Sequence, residues 1–186
     1  SMQIRKGEIY GILGTNGAGK TTMLRCMATL LKPTSGRITV EGADTVNQGE
    51  EVRRKIGFLT NEIKLDPQFR LCYLVHFFGQ LHGMTEEAIE KRKEELFHRF
   101  DIMDFQDKLI EELSTGMKQK AAIAVSLIHD PDVIIFDEPT SGLDIITARA
   151  VTDYLLELKE KGKTIVMSTH IMSEAEKLCD RIAIIM

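Results

Sequence analysis

Two rhythms of apolar residues divide the chain. Short, nearly unbroken apolar runs bounded by glycine or polar residues fall at 8–13, 56–59, 133–136, 164–168 and 181–185. Runs of that length and character predict strands buried on both faces. Helical spacing occupies 20–31, 85–100 and 117–129, and strand signals vanish between 69 and 129. Pro33 and Gly36 stop the first helix, 37–40 reads as a further strand, and Glu41-Gly42 turn it. Asp144 is placed to cap a helix that Gly162 ends. Ser173 and Glu176 have the spacing of a capping box for one more helix before the last strand. Strands that alternate with helices predict an α/β fold with a mainly parallel sheet covered on both faces. A helical block is inserted into it: one domain, with core at about 3–68 and 130–186 and a helical subdomain at about 69–129.

Composition narrows the function classes. At 186 residues and 43% hydrophobic content the chain can bury one core. The net charge is −4, and the basic clusters Arg53-Arg54-Lys55 and Lys91-Arg92-Lys93 are short, so no nucleic-acid partner is expected. Cys26, Cys72 and Cys179 are odd in number and lack a CxxC spacing, which argues for a reducing compartment without disulfides or zinc. The longest apolar runs, 121–125 and 182–186, are far short of the ~20 residues that a membrane span needs. Ser1 before Met2 reads as a remnant of tag cleavage, with no signal peptide after it.

The chemistry concentrates at a few points. Gly14-Thr15-Asn16-Gly17-Ala18-Gly19-Lys20-Thr21 fits GxxxxGK[ST] between a predicted strand and a predicted helix. Such glycines let backbone N–H groups turn inward around a phosphate chain at a helix N-terminus. Lys20 would reach the β- and γ-phosphates, Thr21 would ligate Mg²⁺, and Thr22 completes the nucleotide-contacting stretch. Asp137 and Glu138 end an apolar strand, where an open parallel sheet presents its ligand crevice. Neighbouring residues leaving a strand point different ways, so Asp137 can face a magnesium ion while Glu138 faces an attacking water. Read alone, the pair is also a strand-end turn closed by Pro139. Leu113-Ser114-Thr115-Gly116-Met117-Lys118-Gln119 opens a helix with a hydroxyl and a glycine. It is a second place where free N–H groups could meet an anion, or simply an N-cap.

That last stretch resembles the LSGGQ-type signature of ABC (ATP-binding-cassette) ATPases. Ser141-Gly142-Leu143-Asp144 is similar to their D-loop, and Ser168-Thr169-His170 to their switch segment. The resemblance covers nearly the whole chain, five motifs in order, and implies a P-loop NTPase core that binds and hydrolyses ATP with Mg²⁺. In the family two such subunits pack head to tail, which implies that Ser114 and Gly116 contact the ATP held by the partner subunit, with Asp144 nearby. Glu138, His170 and Lys20 then act on the chain's own γ-phosphate. Asn61 stands where the family has a glutamine that senses magnesium and the attacking water; it keeps the amide but is about 1.5 Å shorter. His76, His82, His98 and His129 are read as structural or surface residues.

The family's N-terminal antiparallel strands, with the aromatic that stacks on adenine, have no counterpart, and Tyr10 is too near the P-loop to serve. A truncated domain with weak adenine discrimination and low stability is therefore expected. The function so implied is energy coupling for a membrane exporter of the sodium-extrusion or drug-export type. The subunit would sit at the cytoplasmic face of the cell membrane, beside an integral membrane transporter subunit. The alternative is a soluble ABC ATPase of translation or DNA repair, although two fused cassettes or long coiled coils are not seen here. A non-hydrolysing scaffold is disfavoured by the presence of Glu138 and His170.

Overall fold

A computed structural model of the chain describes residues 2–60 and 65–186. In chain order its elements begin β1 (Ile9–Gly14), α1 (Lys20–Met27), β2 (Thr39–Val40), β3 (Ala43–Asp44), α2 (Gly49–Lys55) and β4 (Ile56–Leu59). Then come α3 (Leu71–Leu81), α4 (Glu86–Arg99), two 3₁₀ turns, and α5 (Thr115–Leu127). The chain ends with β5 (Val133–Asp137), α6 (Ile145–Glu160), β6 (Thr164–Thr169), α7 (Met172–Leu178) and β7 (Arg181–Ile185). Two compact units result. One comprises Ser1–Asn61, Pro131–Thr140 and Val151–Met186; the other comprises Glu62–Asp130 and Ser141–Ala150.

The first unit holds a five-stranded sheet in the order β4-β5-β6-β1-β7, with every pair parallel, as the alternation of runs predicts. A small antiparallel pair, β2 with β3, is turned by Glu41 and Gly42, both at positive φ. The ladder sets Leu13 opposite Thr169, and Asp137 opposite Ser168. The ends of β1, β5 and β6 therefore share one edge of the sheet, and everything attached there faces the same space. β5 and β6 are buried along their whole length, which is why their sequences are continuous apolar runs rather than alternating ones. On one side of the sheet Tyr10, Ile12, Val133, Ile135 and Val166 meet Leu24 and Met27 of α1 and Val52 of α2. Burying Leu24 or Ile12 fully, both at 0% exposure, is worth about 1.5–3 kcal/mol each. That fixes α1, and with it the loop leading into it.

In the second unit α3 and α4 approach at Gly79, where a Cβ would lie 2.6 Å from Cγ1 of the buried Ile89. Thr85 caps α4 by accepting from the Ala88 N–H at 3.3 Å. Leu74, Val75, Leu96, Phe97, Phe100 and Ile102 supply buried apolar bulk. Among the described residues no helix is long and apolar enough to cross a membrane.

Three local expectations are corrected. The helix expected at 20–31 ends at Met27, because Thr29 takes a left-handed φ of 66° and Leu30 N–H turns back to the Arg25 carbonyl. The helix expected from 117 begins two residues earlier, since Ser114 itself supplies the cap. The capping box at Ser173 and Glu176 does not form. The helix α7 already starts at Met172 without a side-chain cap, and the Ile171 N–H ahead of it is taken by Thr169 Oγ1 at 3.0 Å.

Candidate functional site

β1 delivers the chain to the glycine-rich loop at the sheet edge, the candidate phosphate cradle, and Gly14 marks the change from strand to loop. A Cβ there would lie 2.6 Å from the Ile185 carbonyl of β7, so only glycine lets β7 pair this far along β1. Gly17 and Gly19 take φ of 85° and 96°, left-handed values that glycine adopts without steric cost. Lys20 opens α1 and is 5% exposed; a buried ammonium must be paired. Its Nζ donates to the Gly14 carbonyl at 2.8 Å and the Thr15 carbonyl at 3.2 Å, and lies 3.5 Å from Glu138 Oε1. Thr15, Asn16, Ala18 and Thr22 lie on the same loop and the first turn of α1.

Asp137 is held from two sides. Thr21 Oγ1 donates to its Oδ2 at 2.6 Å, and the fully buried Ser168 donates through Oγ to its Oδ1. The Thr21 hydroxyl and the Asp137 carboxylate are all-oxygen, hard donors, the set that suits Mg²⁺. These residues fit the ion that the sequence implies.

Glu138 follows at φ +49°, a left-handed conformation that costs a non-glycine residue about 1–2 kcal/mol. The backbone is held there because its N–H donates to the Ser168 carbonyl at 3.2 Å and to Ser168 Oγ at 3.1 Å. Strain of this kind gathers at functional sites, where it aims a side chain. Here it leaves the Glu138 carboxyl 19% exposed, with Oε1 3.2 Å from His170 Nδ1. Lys20, Glu138 and His170 thus converge, with Thr21 and Asp137 alongside. A cleft of about 670 Å³ opens next to them, lined by Leu13, Gly14, Thr15, Asn16, His170 and Met172.

Ser114, Gly116 and Asp144 all lie in the second unit. Ser114 accepts from the Met117 N–H at 3.3 Å as the N-cap of α5. A Cβ on Gly116 would lie 3.8 Å from both Asp144 Oδ2 and Thr147 Oγ1. Asp144 caps α6, accepting from the Thr147 and Ile146 N–H groups at 3.0 Å and from the Thr147 hydroxyl at 2.7 Å. The Thr147 N–H does most to hold its carboxyl below the ordinary value. Asn61 lies outside the described residues.

Sequence reasoning missed the role of Ser168 as a hydrogen-bond partner of Asp137. It also missed Glu174, whose carboxylate accepts from the Thr140 and Thr169 hydroxyls. For Ser168 the only available signal was the pairing of β5 with β6, which a linear sequence does not show.

Comparison with known proteins points the same way as the geometry. Residues 1–141 match the family described as ABC transporter. The ABC transporter ATP-binding protein NatA of Bacillus subtilis (strain 168) is 47% identical over 186 residues, covering 100% of this chain and 76% of NatA. The daunorubicin resistance ATP-binding protein DrrA3 of Streptomyces coeruleorubidus is 38% identical over 184 residues, covering 99% of this chain and 58% of that protein. The dimeric structure of a post-hydrolysis state of the ATP-binding cassette MJ0796, bound to ADP and Pi, superposes with a TM-score of 0.90. It is 31% identical, with 99% of this chain and 83% of that one covered. A phosphate cradle on this strand-loop-helix unit, in a sequence so similar over its whole length, leaves one assignment: the chain belongs to the ABC transporter family, as its ATP-binding ATPase domain.

Proposed function

We propose that the chain binds ATP together with Mg²⁺ and hydrolyses it to ADP and phosphate to drive a membrane exporter. The observation that carries this reading is the convergence of Lys20, Asp137, Glu138 and His170 at one edge of the sheet, with Thr21 tied to Asp137 at 2.6 Å. The inward-turned N–H groups of the P-loop and the Lys20 ammonium hold the phosphates, and Thr21 and Asp137 hold the ion. When bound there, the ion would supply positive charge that offsets the negative charge of the phosphates. Glu138 orients the attacking water and accepts its proton, while His170 donates toward the γ-phosphate. Little covalent chemistry is asked of the protein in phosphoryl transfer, so fixed geometry is the main contribution.

Ser114 and Gly116 complete the site of a second copy, head to tail, so that turnover belongs to the dimer; that the MJ0796 cassette is dimeric supports a dimer here. The membrane contact is assigned to the second unit. Phe69, just ahead of α3, stacks in series with Tyr73 and Phe77 of α3, all at 41–50% exposure, and Leu81, one turn further on, is 67% exposed. The subunit then works peripherally at the cytoplasmic face, against an integral membrane subunit. The similarity to NatA and to the daunorubicin resistance protein DrrA3 favours sodium or drugs as cargo.

The test is Glu138→Gln in the intact subunit. A group of this role contributes roughly 10²–10⁴-fold, so turnover should fall by that factor while ATP binding persists and dimers accumulate. Undiminished turnover would remove Glu138 from the mechanism.

A further inference from the structure

We infer that Glu174, in the first turn of α7, is a positioning residue that locks Glu138 and His170 into one arrangement. Its two carboxylate oxygens go to different partners: Oε1 accepts from the Thr140 hydroxyl, and Oε2 accepts from the Thr169 hydroxyl at 2.5 Å. Thr140 stands two residues after Glu138, across the rigid Pro139, and Thr169 is the residue immediately before His170. One side chain therefore ties down both backbone segments that carry the reacting pair.

The alternative use of an acid in a first helical turn is to favour the positive end of the helix dipole. The bonds argue against that as its main role. Both oxygens are committed to threonine hydroxyls from outside α7, and the helix has no side-chain cap bond at all. The tie also continues outward. Thr169 Oγ1 accepts from the Ile171 N–H at 3.0 Å, which fixes the residue after His170 as well. Ser168, one residue upstream, holds both the Asp137 carboxylate and the strained Glu138 N–H. The segment 168–171 is thus pinned at each residue around His170. Glu174 connects it by side chain to the far side of Glu138.

Removing this tie leaves the phosphate cradle untouched and frees the angle between Glu138 and His170, so the loss should fall on turnover rather than on binding. A misplacement of about 1 Å can cost on the order of 10²-fold. The inference rests on the assignment of Glu138 and His170 made above. Its test is steady-state ATPase activity and equilibrium ATP affinity of the intact subunit with Glu174→Ala, Glu174→Gln and the double variant Thr140→Val/Thr169→Val.

Glu174→Ala should lower kcat by about 10- to 100-fold with ATP affinity unchanged within about twofold. Glu174→Gln should recover most of kcat, because its amide accepts from one hydroxyl and donates to the other. The double threonine variant should reproduce the alanine result, and Glu174→Ala added to it should do nothing more. Should Glu174→Ala fail to fold, the threonine variants carry the same comparison. A kcat that stays within about twofold in Glu174→Ala, a defect confined to KM, or losses that multiply between Glu174→Ala and the threonine pair would overturn the inference. A silent Glu138→Gln beside a fully active Glu174→Ala sinks the positioning role alone, whereas an active Glu138→Gln sinks the mechanism beneath it.

Discussion

Gly11 sits in the middle of β1, and a methyl group there has nowhere to go. A Cβ would lie 2.7 Å from Sγ and 3.3 Å from Cβ of Cys179, the residue that closes α7 against the sheet. Carbon and sulfur pack comfortably at roughly 3.5–4.0 Å, so Sγ must retreat by about 1 Å, and swinging it aside still leaves the second contact tight. Overpacking of this kind costs about 1–3 kcal/mol. Against it stands a gain of about 0.5–1 kcal/mol from replacing a strand glycine by alanine. Gly11→Ala should therefore destabilise the protein by up to about 2.5 kcal/mol, a fall of up to roughly 10 °C in Tm for a chain of this size. Cys179→Ala removes the obstructing sulfur, so the double variant should be more stable than the two single losses predict, by about 1–2 kcal/mol of coupling. Urea and thermal unfolding of the four proteins measure this cycle. Additive effects in this cycle would refute the argument that α7 is seated on β1 by the absence of a side chain.

Other consequences are more local. Thr21→Val deletes the hydroxyl that meets Asp137 at 2.6 Å, and ATP affinity in Mg²⁺ should fall by about tenfold, the worth of one hydrogen bond to a charged group, with little change in EDTA. Equal losses with and without the ion would remove Thr21 from the metal site. The Cys179 thiol is pushed up to about 11, first by burial and then by Glu174 and Asp180. The folded state holds that proton more tightly than the unfolded chain does. The resulting stability is complete below the ordinary thiol value and disappears as pH rises through about 11. Urea midpoints measured upward from pH 8 should decline in this window less steeply in Cys179→Ala than in the parent.

What the sequence revealed depended on how local the cause was. The strands at 56–59 and 181–185 run over the residues expected, because charged or polar residues bound each apolar run on the spot. The strand-loop-helix unit around Lys20 was equally legible, because strand, glycine turns and helix start are contiguous in sequence. The α/β architecture followed from the alternation of runs. The capping box at Ser173 was legible and misleading, since its pattern is local but Thr169, fixed by sheet pairing, already takes the Ile171 N–H. The partners of Asp137 and the two bonds of Glu174 were out of reach, because each joins residues brought together only by the order of β5, β6 and α7. The reason for Gly14 was likewise concealed. Motif logic assigns that glycine to phosphate, while the Ile185 carbonyl of β7 requires it for sheet pairing.

The left-handed backbone of Glu138 has a bearing on how such a site can decay. Glycine occupies that conformation at almost no cost, so Glu138→Gly would relieve about 1–2 kcal/mol of torsional strain, while it removes the proposed catalytic carboxylate and with it the negative charge 3.5 Å from the buried Lys20 ammonium. In a copy released from hydrolysis the two effects pull against each other: the backbone at 138 favours glycine, and the ammonium of Lys20 favours keeping an acid there.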